Sequence, residues 1–120
     1  MPGKVTVTVV YVPTRSAAWA IDCKKPTIPY EVRQPVLDEV VSTLTELFGG
    51  CTIGEHPIYG AWKDATGIVK ERVTLVWAVG ELDPQKREAV FGLALHIKRV
   101  LKQDSVLVEF LELPGEVIFV

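Results

Sequence analysis

Residues Val5 to Val12 read Val-Thr-Val-Thr-Val-Val-Tyr-Val, an unbroken run rich in β-branched side chains. Such side chains fit the pleated surface of a sheet and lose rotamer freedom in a helix. Successive strand residues point to opposite faces, so Val5, Val7, Val9 and Tyr11 share one face and Thr6, Thr8, Val10 and Val12 the other. A second run behaves alike: Val69, Glu71, Val73, Leu75, Trp77 and Val79 alternate with Ile68, Lys70, Arg72, Thr74, Val76 and Ala78. Strands apolar on both faces belong in the middle of a sheet with cover on each side. That requirement governs everything else the chain can do.

Only two amphipathic segments supply cover. Pro35 to Phe48 places Val36, Val40, Leu44 and Leu47 on one helical face, with Leu37, Val41 and Phe48 alongside. Pro35 suits the first helical position, although a start near Tyr30 would bring Val32 into the same stripe. Gly49 then closes the helix in the left-handed conformation. The second helix opens with Asp83 as N-cap and Pro84 behind it, and buries Val90, Leu93, Ala94, Ile97 and Leu101. Lys98, Arg99 and Lys102 complement the negative end of its dipole.

Three further strands are expected. Cys51 to Trp62 is irregular around Gly54 and Pro57, and Pro57 restricts it to an edge. Asp64-Ala65-Thr66-Gly67 turns it into the Ile68–Val79 strand. Ser105 to Leu113 follows the second helix, and Pro114-Gly115 leads into a short terminal strand over Glu116–Val120. The order is β-α-β-β-α-β with one extra strand. That is the ferredoxin-like α+β pattern, an antiparallel sheet of spatial order 4-1-3-2 with both helices on one face. The whole chain, 1–120, makes a single domain.

The helices leave the second sheet face bare. Its cover is expected from the long 13–34 connection, from a second copy of the chain, or from both. The mean hydropathy of +0.26 agrees with a homodimer or higher homo-oligomer joined through that face. A net charge of −2 gives no basic stripe for nucleic acid. The segment before Val5 has no apolar leader, and no stretch is long enough to span a membrane, so a cytoplasmic location is expected. Two cysteines, Cys23 and Cys51, are too few for a disulfide framework or a structural zinc site, and the two histidines are far apart. No metal and no cofactor are expected.

The residues able to carry chemistry cluster at the strand ends. Arg15 follows the first strand, and Trp19 in the same connection needs burial. His56 lies beside Glu55 and near Tyr59, although neighbouring strand residues point apart. Tyr59 and Trp62 flank Gly60-Ala61, which lets a ligand or protein approach between two rings. Glu71 and Arg72 lie on opposite faces of a central strand, where a buried charge must have a partner. If the connection and the hairpin close together, Arg15, His56, Tyr59, Trp62 and Glu71 line one cleft.

Val12-Pro13-Thr14-Arg15, Phe48-Gly49-Gly50-Cys51-Thr52, Gly60-Ala61-Trp62, Gly67 and Glu71 together resemble a loose group of small bacterial and phage-borne proteins with no assigned activity. Cys51 stands where that group more often has Ala. The resemblance implies the fold and no mechanism. Three functional expectations follow. The first is a non-catalytic, oligomeric binding or interaction module. The second is a small enzyme with a cleft around His56, Tyr59, Trp62 and Glu71. The third is an accessory protein of a mobile-element or stress and defence system.

Overall fold

The computed structural model describes residues 5–13, 28–54, 58–64, 67–103, 105–114 and 118. Seven elements follow in order: β1 (Val5–Pro13), α1 (Tyr30–Phe48), β2 (Thr52–Ile53), β3 (Ile58–Asp64), β4 (Gly67–Glu81), α2 (Pro84–Val100) and β5 (Val108–Glu112). All pairings are antiparallel, and the sheet runs β2-β4-β1-β5 with β3 joined to the other half of β4. Counting β2 and β3 as one interrupted strand gives the expected ferredoxin-like order. The fold is α+β.

The interruption is the first departure from the sequence reading. The expected Cys51–Trp62 strand splits in two, with only Thr52 and Ile53 pairing before the break. Gly54 closes that short strand, its N–H donating to the Leu75 carbonyl at 2.8 Å. The second departure is the start of α1. The helix begins at Tyr30, because the Pro29 carbonyl accepts from the N–H groups of both Val32 and Arg33 at 3.0 Å. Pro35 therefore sits inside the helix instead of opening it. Having no N–H, it leaves one backbone bond unmade near the exposed helix start. Val32 does not join the buried stripe; it is exposed. The expected terminal strand over 116–120 falls almost entirely outside the described residues.

Helix ends follow local chemistry closely. Gly49 has φ +84 and its N–H reaches the Thr45 carbonyl at 2.8 Å, the left-handed closure that a β-carbon disfavours. Asp83 Oδ1 accepts from the Lys86 N–H at 2.8 Å, with Pro84 just behind it. The start of α2 is held further by two cation–π contacts, Lys86 over Phe48 and Arg87 over Phe110.

The core lies between the helices and one sheet face. Val10, Val12, Val36, Val40, Leu44, Val76, Val90 and Ile97 form it with Ile28, Leu93 and Leu101. Gly80 lets α1 settle tightly, since a β-carbon there would stand 3.1 Å from the Phe48 ring. Thr8 is wholly buried in this layer and its Oγ1 has no hydrogen-bond partner among the described residues.

The distal end of β4 forms an arm with β3. β1 covers β4 only from Val73 to Glu81, whereas residues 67–72 of β4 pair with β3. The chain measures 51 × 27 × 26 Å with a radius of gyration of 15.3 Å. A compact domain of this length has a radius of about 14 Å.

Candidate functional site

Strand register sorts the open face of the sheet. Val7 pairs with Val79 and Leu111, Val9 with Trp77 and Glu109, and Tyr11 with Leu75. Cross-strand partners share a face, so Val5, Val7, Val9, Tyr11, Leu75, Trp77, Val79 and Leu111 form one apolar surface. Both helices pack on the other side. Among the described residues no helix or strand lies over this surface. Leu111 and Leu107 are exposed on it, and Trp77, Leu75 and Val7 are half-buried.

Tyr11 and Glu109 interrupt the middle of that surface and find each other. The Tyr11 hydroxyl donates to Glu109 Oε1 across the β1–β5 ladder. Tyr11 reaches its partner diagonally, because its own N–H donates to the Leu107 carbonyl at 3.1 Å while Glu109 sits opposite Val9. The hydrogen bond to Glu109 raises the Tyr11 phenol above its ordinary value, helped by desolvation and by the carboxylate's charge. The phenol stays protonated as a donor and the carboxylate remains an acceptor with a second oxygen to offer. Sequence reasoning missed this pair. Its signal was Glu109 within Val-Leu-Val-Glu-Phe-Leu, a carboxylate in the middle of an apolar strand.

Most of the expected site residues lie elsewhere or outside the described chain. Arg15, Trp19 and His56 fall outside the described residues. Tyr59, Trp62 and Glu71 are on the arm, where the backbone pairs Tyr59 with Arg72, Gly60 with Glu71 and Trp62 with Val69. Positions 62 and 71 therefore belong to the same alternation as Leu75 and Trp77, and positions 59 and 72 to the other. Arg72 is half-buried. Cys51 is half-buried as well, its thiol against Thr45 Oγ1 at 3.5 Å and the Val41 carbonyl.

His96 bridges the two helices. Its Nε2 lies 2.8 Å from Glu39 Oε2, and Arg99 Nη2 lies 3.3 Å from Nδ1. A guanidinium can only donate, so Nδ1 accepts and the ring proton sits on Nε2, aimed at Glu39. Among the described residues no three His, Cys, Asp or Glu side chains are placed to hold a metal ion. No helix among them is long and apolar enough to cross a membrane.

No protein-family model matches the sequence, and no curated protein is significantly similar to it. Solved structures do match. A phage SAM lyase in complex with S-methyl-5′-thioadenosine superposes with a TM-score of 0.63 at 18% identity, covering 93% of this chain and 84% of that one. CutA1 from Oryza sativa gives 0.56 at 15% identity over 97% and 85%. The divalent cation tolerance protein CutA1 from Thermus thermophilus gives 0.54 at 12% identity over 94% and 87%. At these identities the likeness establishes the shared α+β fold.

Proposed function

We propose that the chain works as a homo-oligomer whose open sheet face binds an adenosyl sulfonium or thioether, with the Tyr11–Glu109 pair as its polar anchor. The observation that carries this reading is a hydrogen-bonded phenol and carboxylate set in a mostly apolar sheet surface over which no described helix lies. A face of that size and character calls for cover, and a second copy supplies it. The arm supports the same view. A two-stranded ribbon is marginal by itself in water, and contact with a neighbouring copy stabilises it.

The ligand class follows from the side chains. A purine stacks on aromatic rings, a contact worth about 1–3 kcal/mol, and Trp77 and Tyr11 supply rings on this face. Glu109 offers a carboxylate to a sulfonium or to ribose hydroxyls, and the surrounding valines and leucines exclude water that would weaken the attraction. The phage SAM lyase with S-methyl-5′-thioadenosine shares the fold, which favours this ligand over the divalent cations named for CutA1. Cleavage of S-adenosylmethionine is the enzymatic form of the reading. The arm positions Tyr59, Trp62 and Glu71 would then come to the ligand from a neighbouring copy.

Titration calorimetry with S-methyl-5′-thioadenosine and S-adenosylmethionine tests the proposal. Both should bind the wild type. Glu109→Gln should weaken the cationic S-adenosylmethionine at least tenfold and the neutral thioether by much less, because only the first loses a charge partner. Chromatography of an S-adenosylmethionine incubation would reveal S-methyl-5′-thioadenosine release if turnover occurs. Absence of binding by either compound at millimolar concentration, or equal losses for both in Glu109→Gln, would overturn the assignment. A role beside phage or other mobile elements is favoured by the phage origin of that lyase, and gene neighbourhood would test it.

A further inference from the structure

The two flanks of the molecule carry matching surfaces. On one flank α2 lies above β5, tied there by Arg87 over the Phe110 ring. Its outer side bears Phe91 and Leu95, 64% and 50% exposed and one helical turn apart. Arg87 stands one turn before Phe91, and exposed Lys98 follows Leu95 by three residues. This is an apolar ridge with basic ends. On the opposite flank α1 lies beside β2, and between them runs a groove of about 450 Å³. Leu37, Val41 and the exposed Ile53 form its apolar floor, and Asp38 and Glu46 rim it. Asp38 already accepts from Gln34 at 2.9 Å and stays exposed on the surface.

The charge division extends along both helices. α1 carries Glu31, Asp38, Glu39 and Glu46 against Arg33, whereas α2 carries Lys86, Arg87, Lys98 and Arg99 against Glu88. The two flanks lie at opposite edges of one sheet, beyond β2 and beyond β5. They cannot meet within one molecule, but they can meet between two.

We propose that the Phe91–Leu95 ridge of one copy seats in the α1–β2 groove of the next, with Lys98 and Arg87 facing the Asp38 and Glu46 rim. The occupant is a second copy of this chain, chosen by charge and by the pairing of an apolar ridge with an apolar floor. Such a joint is heterologous, using two different patches, and repeats until a ring closes. Copies related by rotation at each joint all turn their open sheet faces to the same side of the ring. The inference extends the oligomeric reading above, and the two fail separately.

A complementation experiment tests it. The first variant bears Phe91→Asp and Leu95→Asp, which spoil the ridge and leave the groove. The second bears Ile53→Asp, which spoils the groove and leaves the ridge. All three positions are exposed, so both variants should keep the wild-type circular dichroism and melting profile. By light scattering the wild type should form a closed oligomer, and each variant alone should dissociate at least tenfold more readily. Mixed, the two should associate one-to-one through the one sound joint, giving a species heavier than either variant alone at the same concentration. Charge reversal gives an independent reading: Lys98→Glu should weaken assembly and Asp38→Lys in the same chain should restore part of it. Variants that keep the wild-type mass, or a mixture that stays monomeric, overturn the head-to-tail joint. If Val7→Lys on the open face dissociates the wild-type oligomer while the ridge and groove variants do not, the oligomer stands and this joint falls. A wild type that is monomeric at high concentration removes both.

Discussion

On the helix side of β1, Val10 and Val12 are completely sealed, while one residue along on the other side Val5, Val7 and Tyr11 remain half-exposed. The same strand, with nearly the same side chains, thus serves one sealed surface and one only partly covered, where Val9 is buried and Val5, Val7 and Tyr11 are not. The sealed face holds the chain together. On the other face no described helix or strand stands over Trp77, Leu111, or a phenol paired with a carboxylate. Apolarity alone does not mark a core residue; what matters is whether an element of the same chain stands over it.

Four changes probe that contrast. Leu44→Ala, in the middle of the sealed layer, should cost about 3 kcal/mol in urea unfolding, since transfer and cavity terms add where collapse is limited. Val7→Lys, on the open face, should leave the isolated chain folded and shift only the concentration dependence of assembly by sedimentation. A loss of folding there as large as that of Leu44→Ala would erase the distinction. Thr8→Val should go the other way, stabilising by about 1 kcal/mol, because it removes a buried hydroxyl that has no partner. The smallest effect concerns Tyr11. Its raised pKa stabilises the fold at pH below the ordinary phenol value, and that contribution disappears as pH rises through the raised one. Ultraviolet difference titration should therefore show a late-ionising tyrosine, and Tyr11→Phe should remove that late step.

The elements most legible in the sequence were those specified by local chemistry. Asp83-Pro84 and Gly49 fix helix ends as expected, and the alternation in β1 and β4 separates the faces as the pairing register does, with Val10, Val12 and Val76 together on the helix side. The start of α1 is ambiguous in the sequence, Pro35 being a good first residue and Pro29 a less familiar cap, and the structure takes the earlier of the two starts, at Tyr30. The break between β2 and β3 was visible in Gly54 and Pro57, but periodicity could not say that only Thr52 and Ile53 would pair before it. The site was harder. Unusual residue types gather at loops and hairpin ends, and sequence alone points there. The Tyr11–Glu109 pair instead depends on the β1–β5 register, which joins residues 98 apart and leaves no trace in spacing. The ridge on α2 was hidden for a different reason: Phe91 and Leu95 sit beside the buried stripe, and hydropathy does not distinguish a core face from a contact face.

The register also has a consequence for how the molecule is made. Val5 pairs with Glu81 and Thr6 with Glu112, so the central strand meets its neighbours only after most of the described chain exists. Joining such distant segments costs loop-closure entropy before any reward arrives, and folding is correspondingly slow. Until then a β-branched, water-averse ribbon waits unaccompanied. Cells making this protein quickly would rely on chaperones to keep that ribbon from finding the wrong mate.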